Sequence, residues 1–300
     1  MVRSILSRYS RSVLLSCTKA SQVQNGAFSS LSKSFTRYSA ATSKLSLTSA
    51  SCTMSTSAAS SSEPLTPMPF AVMQNCHVAI RGSIKDCETA LEAADLELFR
   101  ETFKDMTRAI ETHAKLEDNG FFRLLDERFD NLAKENGLRD LHTEEESLTK
   151  SVQEAQNNAN AIQAAFAAWK EHHLKHLKTE EDIMMPKVME IAKSVKRDAL
   201  QMGNLFQTEI LGPNFDKDEL AWFARWNVRT LSKHGSPANS GDTFTPMRVW
   251  LWGLQWSCTP EQWEAILPEV KEELMAHYPD FYERLRTEFD IESSGKAIVA

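Results

Sequence analysis

Three hundred residues, 42% apolar and 25% charged, are enough for one or two globular domains, and no run of 18 consecutive apolar residues suggests a membrane-spanning helix. Charge is segregated: residues 1–62 hold seven Lys/Arg and no Asp/Glu, leaving 27 basic against 41 acidic residues in the remainder. Such an acidic body excludes nucleic acid as a partner, because phosphate neutralisation needs Lys and Arg.

The five cysteines, Cys17, Cys52, Cys76, Cys87 and Cys258, form no C-x-x-C, which speaks against a zinc ribbon, a RING or a thioredoxin motif. Unpaired thiols in a reducing compartment are expected.

In chain order, the basic, Ser-rich and acid-free stretch 1–62 has the composition of an organelle transit peptide. Arg37-Tyr38-Ser39 resembles a mitochondrial processing context, so the mitochondrial matrix is the expected location, with a plastid as the alternative. Pro64, Pro67 and Pro69 form a linker, and residues 1–70 are expected to be a disordered leader. A helix is expected over 73–93, where Ile80, Ile84, Cys87 and Leu91 make one apolar stripe that His77 joins.

Asp95 is placed to cap a second helix over 96–118. Its stripe, Leu96, Phe99, Phe103, Met106 and Ile110, runs on into His113 and Glu117. Asn119-Gly120 either breaks this helix or lies within its extension; Asn136-Gly137 is a firmer stop. A third helix covers 138–157 with His142 near its start. A fourth covers 161–197, through Ile162, Phe166 and Trp169 to His172, His173, His176 and Glu180, and Pro186 should kink or interrupt its end.

Residues 201–300 hold six of the seven Trp and read as a helical extension. Helices are expected over 216–231, from Thr245-Pro246, from the capping-box pattern Thr259-Pro260-Glu261-Gln262, and over 281–289. The aromatics suit either packing on the bundle or a protein-partner surface. The expected division is therefore 1–70 leader and linker, 71–200 bundle, 201–300 extension.

The histidine spacing carries the chemistry. His77 to His113 is 36 residues and His142 to His176 is 34. Two antiparallel hairpins with legs of about 16 residues, or about 24 Å, would return both pairs to one level. His113/Glu117, His142/Glu146 and His176/Glu180 each stand four apart, one turn along a helix. Surface ion pairs share that spacing, but His113/Glu117 and His176/Glu180 continue apolar stripes. Imidazole with carboxylate suits iron or manganese, and a carboxylate can bridge two ions. Neither E-x-x-H nor H-E-x-x-H occurs, which disfavours ferritin-like di-iron and zincin sites.

His77, His113-Ala-Lys-Leu-Glu117-Asp, His142 and His176-Leu-Lys-Thr-Glu180-Glu-Asp-Ile-Met-Met-Pro together resemble the hemerythrin-like, or HHE cation-binding, family over about 72–198. The resemblance implies an all-α, antiparallel up-down four-helix bundle. It also implies two iron ions, oxo- or hydroxo-bridged, with His77, His113, His142 and His176 as terminal ligands and Glu117 and Glu180 as bridges. Oxygen-carrying members have two His four apart on the third helix, where this chain has His142 and Glu146. Either Glu146 is a ligand or a fifth His comes from elsewhere, with His172 the candidate.

The function this implies is binding of oxygen or another small diatomic such as nitric oxide, or sensing of iron or redox state. The alternatives are a di-iron enzyme of oxidase, peroxidase-like or nitric-oxide-processing type, and a metal-free helical interaction module.

Overall fold

The computed structural model describes residues 68–155, 158–194, 203–212, 215–236 and 241–292. Residues 1–67 of the expected leader, with its processing context, lie outside these residues; residues 68–70, expected to be leader and linker, are helical, because Pro69 falls in the first turn of the first helix, where its missing N–H costs nothing. Apolar stripes at helical spacing make long helices and, among the described residues, no strand forms. The bundle comprises α1 (Met68–Glu92), α2 (Leu96–Leu116), α5 (Leu138–Glu154) and α6 (Ala159–Ser194), with a π-helical turn, π1 (Glu117–Phe121), and the short α3 (Phe122–Arg128) and α4 (Leu132–Glu135) between α2 and α5.

Asp95 caps α2 by accepting the Leu98 N–H at 3.0 Å, and Gly137 enters α5 at φ +62°, a left-handed conformation that a side chain would strain. Asn119-Gly120 does not break the second helix. The backbone passes through π1 and resumes as α3, so the chain stays helical to Arg128. Pro186 does not interrupt α6 either. Its ring lies on the exposed face, where water can take the carbonyl that loses its N–H partner.

α1 packs on α2 and on α6, and α5 packs on α6. Cross-contacts His77–Glu181 and Glu88–Lys170 fix α1 and α6 as antiparallel. Below the histidine layer, Phe99, Phe103, Phe166 and Trp169 stack edge and face with centroids 5.3–6.0 Å apart. Trp169 is fully buried, and its indole N–H donates to Thr149 Oγ1 at 2.9 Å. Trp169→Ala is expected to cost about 3–5 kcal/mol of folding free energy, read from denaturant melts.

The C-terminal third forms π2 (Phe206–Leu211), α7 (Lys217–His234), α8 (Phe244–Ser257), α9 (Pro260–His277) and α10 (Pro279–Phe289). The capping box at Thr259/Gln262 forms as expected. α8 starts one residue before Thr245, because the Asp242 carboxylate accepts the Phe244 and Thr245 N–H groups. α7 and α8 pack on α1, α7 also touches α2, and π2 packs on π1. Trp226, Trp250 and Trp263 are buried and Trp222, Trp252 and Trp256 half-buried. Half of the tryptophans of this region therefore pack fully into the core and the other half stay partly open to solvent. Cys76, Cys87 and Cys258 are buried free thiols. Among the described residues no helix is long and apolar enough to cross a membrane.

Candidate metal centre

Four helices each bring one imidazole to a common layer. His77 on α1 is fully buried among the residues of its stripe, and His113 at the end of α2 is 7% exposed. Glu117 follows His113 by one turn and opens π1, whose wider turn keeps Glu117, Gly120 and Phe121 all facing inward. A π turn is often found where function demands an altered register. His142 comes from the first turns of α5, and His176 and Glu180 from successive turns of α6.

The two carboxylates divide the imidazoles between them. Glu117 sets Oε1 3.3 Å from His113 Nε2 and Oε2 3.4 Å from His142 Nε2. Glu180 sets Oε2 3.4 Å from His77 Nε2, with Oε1 2.8 Å from His176 Nε2 and 3.7 Å from His142 Nε2. His77 Nε2 and His113 Nε2 face each other at 3.2 Å. Neighbouring donors about 2.1 Å from one ion, at right angles, stand about 3 Å apart. His77, His113, Glu117 and Glu180 form one group close enough to hold an ion, and His142, His176 and Glu180 form a second.

Glu117 Oε1 and Oε2, Glu180 Oε2 and His142 Nε2 are buried without a hydrogen-bond partner. Buried polar atoms are normally satisfied, and their convergence here fits bound metal as the missing partner.

The same crowding displaces the proton affinities. Burial lowers His77, but the adjoining Glu180 and Glu181 carboxylates outweigh it and lift it to about 9. Burial likewise opposes His176, which the Glu180 charge and the bonds to Glu145 and Glu180 raise to about 10. For His142, Asp118, Glu117 and Glu180 overcome burial and raise it to about 12. Burial and the neighbouring His77 charge push His113 down to about 3. Burial and the Glu180 charge raise Glu117. Glu180 is held well below the usual carboxylate range, because the His176 charge and the neighbouring His142 and His77 imidazoles outweigh its burial.

The raised proton affinities of His77, His142 and His176 favour their protonated forms when no cation is bound. A cation must displace those protons. Loading at pH 7 is expected to release protons, and affinity should fall as pH falls. Titration calorimetry in buffers of different ionisation enthalpy reads both quantities.

Of the eight residues singled out from the sequence, six meet in this layer: His77, His113, Glu117, His142, His176 and Glu180. The other two do not. Glu146 is exposed and pairs with Lys150 at 3.0 Å. His172 turns its Nε2 to the Leu141 carbonyl at 3.2 Å and its Nδ1 towards Glu144 at 3.6 Å.

Glu145 and His173 take the inward places instead, 5% and 1% exposed. Both signals were present in the sequence. Leu138, Glu145 and Val152 are spaced by seven, and Ile162, Phe166, Trp169, His173, His176 and Glu180 alternate four and three. Two further carboxylates stand behind the layer: Glu181, 3.0 Å from His77 Nδ1, and Asp118, 3.2 Å from His142 Nδ1. Outer carboxylates of this kind orient metal-binding imidazoles.

A groove of about 710 Å³ lies between α2 and α5 and reaches His142 and Glu145 from solvent. The His77 and Glu180 side of the layer is closed, both residues being fully buried.

The model of the hemerythrin HHE cation binding domain family matches residues 68–188, a span that contains every residue of the cluster. No curated protein and no solved structure matches the chain.

Proposed function

Starting from residues 68–188 as a hemerythrin-type cation-binding domain, we propose that the chain is a non-haem di-iron protein that binds a small diatomic molecule such as oxygen or nitric oxide, or senses iron or redox state. The observation that carries this reading is the split of Glu117 and Glu180, each offering its two oxygens to two different imidazole groups. His77 and His113 would hold one iron, His142 and His176 the other, and the two carboxylates would span them. An iron pair supplies reversible one-electron chemistry and an exchangeable coordination position.

The chain's own residues supply the rest. Glu181 and Asp118 hold the outer nitrogens of His77 and His142, so the inner nitrogens stay aimed at the layer. The aromatic stack below excludes water. The groove over His142 makes the His142/His176 side the one that solutes reach. Iron analysis and an absorption spectrum of the purified full chain test the proposal: about two irons per chain with ferric charge-transfer bands are expected, and iron-free protein that takes up none rejects it.

A second reading, an enzyme acting on peroxide or nitric oxide at the same centre, is favoured by the groove, whose volume far exceeds what a diatomic needs. Sustained turnover, against stoichiometric binding, separates the two. The composition of residues 1–62 supports delivery to the mitochondrial matrix, with a plastid as the alternative; the destination of a fluorescent protein fused to residues 1–70 tests it.

A further inference from the structure

The sequence spends a carboxylate where the fold calls for an apolar side chain. Glu145 sits midway between Leu138 and Val152 on the buried stripe of α5 and is 5% exposed. Burying a carboxylate costs several kcal/mol, and apolar residues of similar volume often replace buried ion pairs without loss of stability. A role in packing alone would be met better by leucine.

What Glu145 touches is specific. Its Oε2 lies 2.8 Å from His176 Nδ1 and 2.6 Å from His173 Nδ1. The far nitrogen of His176, Nε2, is the one that faces Glu180. The His173 ring lies flat on Trp169, with centroids 4.9 Å apart and planes within 8°, so the imidazole beside Glu145 is clamped. The other side of Glu145 lines the groove.

We propose that Glu145 is the positioning residue of the centre's solvent-facing half: it holds the proton of His176 on Nδ1, leaves the Nε2 lone pair for the cation, and raises the basicity of that imidazole. The inference rests on the di-metal reading and adds a residue to it. Glu145, His173 and His176 are also close enough together to hold an ion themselves. Glu145 Oε2 is hydrogen-bonded to His176 Nδ1 at 2.8 Å, and both contacts of that oxygen are shorter than the roughly 3.3 Å between donors placed tetrahedrally about 2.0 Å from one zinc. The hydrogen bond from His176 Nδ1 therefore favours a proton acceptor for that imidazole over a third metal site.

Zinc, which is diamagnetic, allows the test by titration, by nitrogen-15 imidazole spectra and by thermal melting of the wild-type chain, Glu145→Gln and Glu145→Leu. Wild type is expected to take two zinc ions and show a strongly downfield His176 Nδ1–H. Glu145→Leu should lose that signal and bind zinc about 10–100-fold more weakly, with its melting temperature kept or raised. Glu145→Gln, which accepts a hydrogen bond without charge, should fall between and decides the matter if Glu145→Leu does not fold.

Unchanged zinc affinity and an unchanged Nδ1–H signal in Glu145→Gln overturn the proposal. So does a wild-type stoichiometry of three that falls to two in Glu145→Gln. A wild-type chain that takes no zinc and no iron overturns the di-metal reading itself, an outcome read before any variant is made.

Discussion

Glu180→Ala is expected to abolish metal binding at both positions, not at one. Glu180 is fully buried and its two oxygens serve different imidazoles, Oε2 facing His77 and Oε1 facing His176 and His142. Truncation removes an anionic donor from each half at once and leaves three imidazoles without the carboxylate that balances them. The loss of affinity should exceed the roughly 10–100-fold that follows loss of an outer carboxylate.

Glu180→Gln should fail nearly as badly, since an amide keeps the volume but offers one acceptor oxygen and no charge. Glu146→Ala is the informative control: it removes a carboxylate one turn from His142 that points to solvent, and metal content should be unchanged. Iron per chain, measured on purified protein after equilibration with ferrous salt, compares the three. Wild-type iron content in Glu180→Ala would contradict the bridging arrangement.

The second large effect is expected at Gly120, which no chemistry singles out. It lies in π1, three residues after Glu117, and a Cβ built there would stand 2.6 Å from Ile210 Cα and 2.9 Å from the Ile210 carbonyl oxygen in π2. Those neighbours are backbone, so no rotamer change relieves the clash. Phe121 and Phe206 close the same contact edge-on at 5.3 Å.

Gly120→Ala must therefore either part π1 from π2 or distort the turn that presents Glu117. Overpacking of this kind costs about 1–3 kcal/mol, and a metal content lowered along with the melting temperature would tie the C-terminal segment to the centre. Arg123→Ala offers the contrast. Arg123, in α3 just after π1, reaches Glu209 of π2 at 2.9 Å but is 43% exposed, and an exposed pair contributes about 0–1 kcal/mol. If Gly120→Ala melts like wild type, the close approach of the two turns has no energetic weight.

Much of this molecule is written in local periodicity. Phe99, Phe103, Met106 and Ile110 repeat as a helix repeats, and because His113 and Glu117 continue the same rows, the sequence already turns them inward. The equal returns from His77 to His113 and from His142 to His176 likewise place four imidazoles at one level, since the rise per residue of a helix is fixed.

What the sequence could not rank was neighbours on one face. From His142, positions 145 and 146 are both one turn on, and His172 and His173 are adjacent; which of each pair enters the layer depends on how α5 leans against α6. Nor does any local signal announce that Gly120 is a contact point, because its partner, Ile210, is 90 residues away. Helical spacing set which rows face the core. Only the packing of one helix on another decided which carboxylate oxygen meets which imidazole, because that choice turns on ångström-scale offsets between segments that no single helix encodes.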